Sequence, residues 1–254
     1  PYLAGLLEGT TAPPQAAYTP YLNEVKPVWT KLPKGRRTLL QLLSRFDLTA
    51  QQANRFFDPA KRAKCLSRAL SDEEIIANPY LLAECDLGSG DDSLVSMTTV
   101  DRGLLPDASA GTGAPVPTPS RVDSPSDHRR VRCALVSVLL HSAREGDSLL
   151  SLAECQQRLE RLKVTPAIEV NTDWLRGHAS FVTERVKHET LDPDGNAANQ
   201  IEILQLAELA KREEQLSKVL RARAQKVIPS VAANWAQLIA KAITENGGQV
   251  DPAN

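Results

Sequence analysis

The sequence predicts a mainly α protein with one small β-hairpin, and three features of its 254 residues predict it. Apolar residues recur at helical spacing through most of 36–105, 127–162 and 206–244. Only Phe181 to Leu191 and Ile201 to Leu204 read as strands, and the turn-rich Asp192-Pro193-Asp194-Gly195-Asn196 separates them. Between the helical regions, 106–125 holds five prolines and two glycines among small polar residues, the composition of an extended linker. The chain is 42% hydrophobic, 24% charged and carries a net charge of −1, which fits a globular chain and excludes disordered, collagenous and membrane-spanning classes. No stretch approaches the roughly 18 uninterrupted apolar residues of a spanning helix, and Pro1 to Gly5 lacks the features of a secretory leader. A cytoplasmic location without a membrane partner is expected. Met97 is the single methionine and the chain opens at Pro1, so a segment of something longer is expected too.

The elements follow in order. Residues 1–35 carry Pro13, Pro14, Pro20, Pro27 and Pro33 with scattered aromatics and show no sustained period, so an extended N-terminal arm is predicted. From Arg36, Leu39, Leu40, Leu42, Leu43 and Phe46 form an apolar helix face. Asp47-Leu48-Thr49 breaks it, and Ala53, Phe56 and Phe57 resume it in a second helix capped by Thr49. That rhythm is helix-hairpin-helix-like. Asp58-Pro59 opens a third helix, and Ser71-Asp72-Glu73-Glu74 is a capping box for a short helix over 72–77. Asn78-Pro79 stops it, Tyr80-Leu81-Leu82 restarts it, 86–93 is a polar loop, and 96–105 is weakly helical.

Beyond the 106–125 linker, Asp127 caps a long helix that ends at Gly146. Leu149-Leu150 is a short extended piece, Ser151 and Glu154 box the next helix, and 170–177 forms a short helix around Trp174. With the strand pair added, the order helix, short strand, helix, helix, two strands makes 126–205 a winged-helix-like module. A long amphipathic helix over 206–226 and a terminal one over 231–244 complete 206–254. The helical module is assigned 36–105, and the linker marks the predicted domain boundary.

Catalytic constellations are hard to find. A phosphate-cradling loop needs Gly-Lys-Ser or Gly-Lys-Thr, which none of the thirteen glycines begins, and Ala110-Gly111-Thr112-Gly113 runs into Ala114-Pro115 instead of a lysine. No metal spacing joins His128, His141, His178 and His188, and Ser180 beside His178 reads as a surface residue rather than a hydrolase nucleophile. Cys65, Cys85, Cys133 and Cys155 form no C-x-x-C pair, and Cys65, Cys133 and Cys155 read as small apolar helix residues.

Charge is segregated. Residues 1–70 hold 11 Lys and Arg against 4 Asp and Glu, whereas 71–127 hold 2 against 11. A basic N-terminal third suits phosphate contact, which neutralises polyanions irrespective of sequence. The candidate nucleic-acid contacts are Lys31, Lys34, Arg36 and Arg37, with Arg45 two turns on. In the second module they are Arg176 on the short helix a winged helix lays in the groove, and Arg185 and Lys187, which strand alternation places on one face.

Asn78-Pro79-Tyr80-Leu81-Leu82-Ala83-Glu84, followed by Met97-Thr98-Thr99-Val100-Asp101-Arg102, resembles the tandem helix-hairpin-helix region that precedes the motor in bacterial RecD-like, superfamily-one DNA helicases. In that family Gly-x-Gly stands where Leu94-Val95-Ser96 stands here. Asp127 to Leu135 and Ile203 to Glu213 also resemble segments upstream of the first ATPase motif, so the similarity spans roughly 36–225. The resemblance implies DNA binding or guidance in support of an ATP-driven motor. ATP and magnesium then belong to the parent motor, no cofactor belongs to this segment, and the motor domains of the parent chain are partners alongside DNA. The alternative is a protein-interaction scaffold whose degenerate hairpins no longer bind DNA and whose acidic block and linker dock the motor or another subunit.

Overall fold

The computed structural model describes residues 2–89, 93–106, 115–192, 199–226 and 233–247. The chain divides into two units, Pro1–Lys211 and Arg212–Asn254. Fourteen α-helices and one three-stranded antiparallel sheet lie among the described residues.

The N-terminal stretch is helical, which corrects the extended arm. Helices α1 (Tyr2–Glu8) and α2 (Thr19–Lys31) flank a 3-10 turn over Ala16–Tyr18. Pro20 sits in the first turn of α2, where a missing N–H costs nothing, while Pro27 lies inside the helix. The driving force is tertiary. Ala4, Leu7 and Trp29 are buried together, with Leu22, Leu32 and Leu40 packed around them, and this small core outweighs the proline signal.

The next module follows its caps. Helix α3 (Lys34–Leu43) turns into α4 (Ala50–Phe57), whose Thr49 and Gln52 form a reciprocal capping box. Asp58 accepts the Ala60 and Lys61 amides at the start of α5 (Pro59–Cys65). Ser71 and Glu74 box α6 (Asp72–Ala77), and α7 (Leu81–Cys85) follows Asn78-Pro79. Ser96 caps α8 (Met97–Leu104). There Gly103 permits close approach to the preceding hairpin, since a Cβ would overlap the Phe46 ring and stand 2.8 Å from the Arg45 carbonyl.

The linker is not a boundary, which is the second correction. Residues 107–114 lie outside the described residues, but 115–125 lies on the helical core. Val116 and Val122 are buried, and the buried Ser120 donates to the Ile76 carbonyl at 2.6 Å. Arg129 donates to the carbonyls of Ala77, Pro119 and Arg121 at 2.6–2.9 Å. A segment with no period of its own is thus held by side chains from its neighbours, and one hydrophobic cluster runs from Leu39 to Leu206 across it.

Helix α9 (His128–Glu145), capped by Asp127 and closed by Gly146 at φ 108°, crosses the middle of that cluster. Strand β1 (Leu149–Ser151), α10 (Leu152–Glu160), α11 (Thr172–Gly177) and α12 (Ala179–Val182) come next, then β2 (Val186–Leu191) and β3 (Ile201–Leu206). The predicted strand from Phe181 begins five residues late, because the Phe181 and Val182 amides donate to the His178 carbonyl and extend a helix instead. Strand β3 is central, in the order β1-β3-β2, with Leu150 opposite Leu204 and Val186 opposite Leu206. Of the predicted turn, 193–196 lies outside the described residues.

Helix α13 (Ala207–Ala224) leaves the first unit at Lys211. In the second unit its residues Leu216, Val219 and Leu220 are exposed, as are Trp235, Leu238 and Ile239 of α14 (Trp235–Glu245). The start of the predicted terminal helix, 231–232, lies outside the described residues.

Candidate nucleic-acid interface

Eight cations carried the sequence-level expectation, and the fold gives them different occupations. Arg36 projects from the first turn of α3 onto Asp72 at 3.0 Å, donates to the Phe57 carbonyl at 2.5 Å and lies 3.7 Å over the Phe57 ring. Arg62 meets the same carboxylate at 2.7 Å. Burial raises the proton affinity of Asp72, but the Arg62 and Arg36 hydrogen bonds outweigh it and hold the carboxyl below its ordinary range. Arg45 donates to the Gly103 carbonyl at 3.3 Å, tying α8 to the first hairpin. Arg185 turns inward to the Glu84 carbonyl at 3.0 Å and stands 4.0 Å from its carboxylate. Because Arg185 precedes β2, strand alternation does not apply to it and it does not share a face with Lys187. These three arginines are structural. Lys31 and Lys34 are exposed, and Arg37 is half-buried on α3. Arg176 is exposed, 3.9 Å from Glu202, while Lys187 reaches Glu189 at 2.7 Å.

Behind this surface the helices are pinned by ion pairs that the sequence analysis did not single out. Arg130 and Asp101 meet at 2.8 Å, both nearly inaccessible, and Tyr80 donates to the same carboxylate at 2.6 Å. Burial, with the Asp101 charge second, pushes the Tyr80 phenol far above its usual range. Arg132 contacts Glu84 at 3.1 Å and Glu184 at 2.9 Å, with its guanidinium 3.8 Å over the Phe181 ring. Arg55 is paired with Asp86 at 2.5 Å. The segment Arg129-Arg130-Val131-Arg132 therefore acts as a set of internal ties.

The turns before α4 and α8 have several of their amides occupied. Thr49 accepts the Gln52 amide at 3.1 Å. In the turn before α8, Asp86 accepts the Val95 and Gly88 amides at 2.7 and 3.1 Å, and Ser96 accepts that of Thr99 at 3.1 Å. A carboxylate stands where a phosphate-facing hairpin leaves its amides open.

His178 and the cysteines are engaged within the fold, whereas His128 and His141 are exposed. His178 stacks on Trp174 at 4.4 Å between centroids, and its Nδ1 lies 2.9 Å from the Trp174 carbonyl. His128 meets Phe181 edge-on at 4.4 Å, and burial lowers its proton affinity. Ser180 is exposed. All four cysteines are free and buried, and burial pushes the Cys155 thiol up to about 12. Among the described residues no group of three or more His, Cys, Asp or Glu is placed to hold a metal, and no helix is long and apolar enough to cross a membrane.

Exposed cations outside the expectation include Lys61 and Lys64 on α5, Arg144 near the end of α9 and Arg161 after α10. The residue types of Arg144 and Arg161 were visible in the sequence, but their lack of a carboxylate partner among the described residues was not. Comparison with known proteins leaves the chain by itself: no family model, curated protein or solved structure matches it.

Proposed function

We propose that this chain is a non-catalytic accessory region of a RecD-like ATP-dependent DNA helicase, engaging DNA through exposed cations and passing it toward the motor. What carries the reading is the connectivity of 128–206. Helix, strand, helix, a pair of short helices, then two strands that return in the order β1-β3-β2 supports a winged-helix-like reading, and it follows a run of paired short helices. In this reading Lys31, Lys34 and Arg37 form one phosphate contact, and Arg176 and Lys187 form another on the short helix and the wing.

A second reading has a specific observation in its favour. The engaged amides of the turn before α8 and the internal use of Arg36, Arg45 and Arg185 suit a protein-docking scaffold for the motor or another subunit. Fluorescence anisotropy of a labelled duplex and a labelled single strand, titrated with salt, separates the two. DNA engagement predicts a logarithmic salt slope that falls by about one unit for each phosphate contact removed, with Lys31→Gln, Lys34→Gln and Arg37→Gln as the substitutions. Absence of binding to either form at low salt leaves the scaffold.

A further inference from the structure

A cleft of about 530 Å³ opens between the loop leading into α8, the last two turns of α9 and the end of α10. Val95, Met97 and Val138 are buried in its floor, and the partly buried Leu140 and Leu162 line its side. Arg144, Arg158, Arg161 and His141 also line it, with the hydroxyls of Ser96 and Ser137. The cations differ in what already holds them. Arg158 is tied to Ser142, to Glu145 at 3.4 Å and to Asp147 at 3.2 Å, and His141 stands 3.3 Å from Glu145. The Glu145 carboxylate is thereby answered from within the protein. Arg144 and Arg161 are exposed and have no side-chain hydrogen bond or ion pair among the described residues.

The combination is selective. An apolar floor gives the flat body of a base or a sugar a place out of water, and the Ser137 hydroxyl offers a hydrogen bond to a base edge, that of Ser96 being engaged with Thr98 and Thr99. Guanidinium groups bind a phosphodiester through paired N–H donors and also stack on bases, which ammonium groups do not. The volume lies in the range of small-molecule sites and is too confined for a duplex. We propose that this cleft holds a nucleotide of a single-stranded nucleic acid, with Arg144 and Arg161 on the phosphodiester and the Val138, Leu140 and Leu162 wall against the base or sugar. The proposal rests on the DNA-engaging reading and adds to it a strand class and a site apart from the eight cations first expected.

The test uses the whole chain with a labelled thymidine strand of about 12 nucleotides, long enough to cover one such site, and a duplex of equal length. Arg144→Gln and Arg161→Gln remove charge from exposed side chains without a partner, so thermal melting should match the parent. Ser137→Trp fills the cleft while leaving both charges. The double arginine variant should bind the single strand at least about tenfold more weakly at low salt, with a salt slope smaller by about 1.4, the value for two single-strand phosphates. Duplex affinity should stay within about twofold, and Ser137→Trp should weaken the single strand alone. Unchanged single-strand binding in these variants overturns the cleft while leaving the DNA reading intact. Equal losses for single strand and duplex also overturn it, because the arginines then act as general surface charge. If polyglutamate binds and the arginine substitutions abolish that binding but not strand binding, the cleft belongs to an acidic peptide. If neither DNA form binds, both readings fall together.

Discussion

Arg130 reaches the Asp101 carboxylate with Nε and Nη2, the Pro125 carbonyl with Nη1 and the Pro166 carbonyl with Nη2 again, joining α8 to segments on either side of α9. Replacing it with methionine keeps most of the volume but leaves Asp101 buried with only Tyr80 as a hydrogen-bond donor. Arg130→Met should therefore lose about 3–5 kcal/mol in urea unfolding, and Arg130→Met with Asp101→Asn should lose less, since no bare charge remains. Asp72 makes a pH-dependent contribution. Its carboxyl is held below 3.8 by Arg62 and Arg36 against the opposing effect of burial, so its stabilisation is fully present above that value and disappears as pH falls through the folded-state value. Asp72→Asn should cost about 2–3 kcal/mol at neutral pH. The difference from the parent should shrink in unfolding curves taken at successively lower pH below about 4. A gap that grows on acidification would contradict the assignment. Arg36, predicted as a DNA contact, shows why residue type alone misleads: its carboxylate partner lies 36 positions away, and neither spacing nor local pattern joins them.

At the scale of elements, helix starts are the most local events in the chain and were the most legible. Thr49 with Gln52, Ser71 with Glu74, and Ser151 with Glu154 form reciprocal boxes whose partners are three residues apart. Thr49→Ala and Ser151→Ala should each cost about 1 kcal/mol in thermal or urea unfolding. An effect near zero at Ser151 would mean that α10 is held by packing alone. Helix α2 was illegible for the opposite reason. Trp29 and Leu32 find Leu40 of α3 and Ala4 and Leu7 of α1, so its stability comes from other elements, while its own sequence advertises Pro20 and Pro27. The small sheet was half legible. Alternation marked β2 and β3, but the helical turn at Ala179–Val182 depends on the His178 carbonyl rather than on apolar period. The basic cleft was wholly illegible, because Arg144 and Arg161 come from different elements and count only for the carboxylates they lack.

For the whole molecule, the compositional seam at 106–125 and the physical division after Lys211 do not coincide. Proline density marks where regular structure stops, whereas a unit ends where buried contacts stop. Separate fragments 1–106 and 115–211 should accordingly fail to give cooperative thermal transitions, while 1–211 should unfold in a single one; a sharp melt of 1–106 alone would restore the predicted boundary. The chain also lacks any Gly-Lys-Ser or Gly-Lys-Thr sequence, so a coupled assay of purified protein should show no ATP turnover above buffer. The larger core sets an order of events during synthesis. Leu39, Phe56, Leu82 and Val100 share one cluster with Val131, Leu135 and Leu204, so the first hundred residues emerge from the ribosome before the surfaces that cover them. At about 5–20 residues per second, that apolar face stays uncovered for several seconds until α9 clears the exit tunnel. Nascent chains arrested before residue 128 should bind holding chaperones, and chains arrested well past β3 should release them.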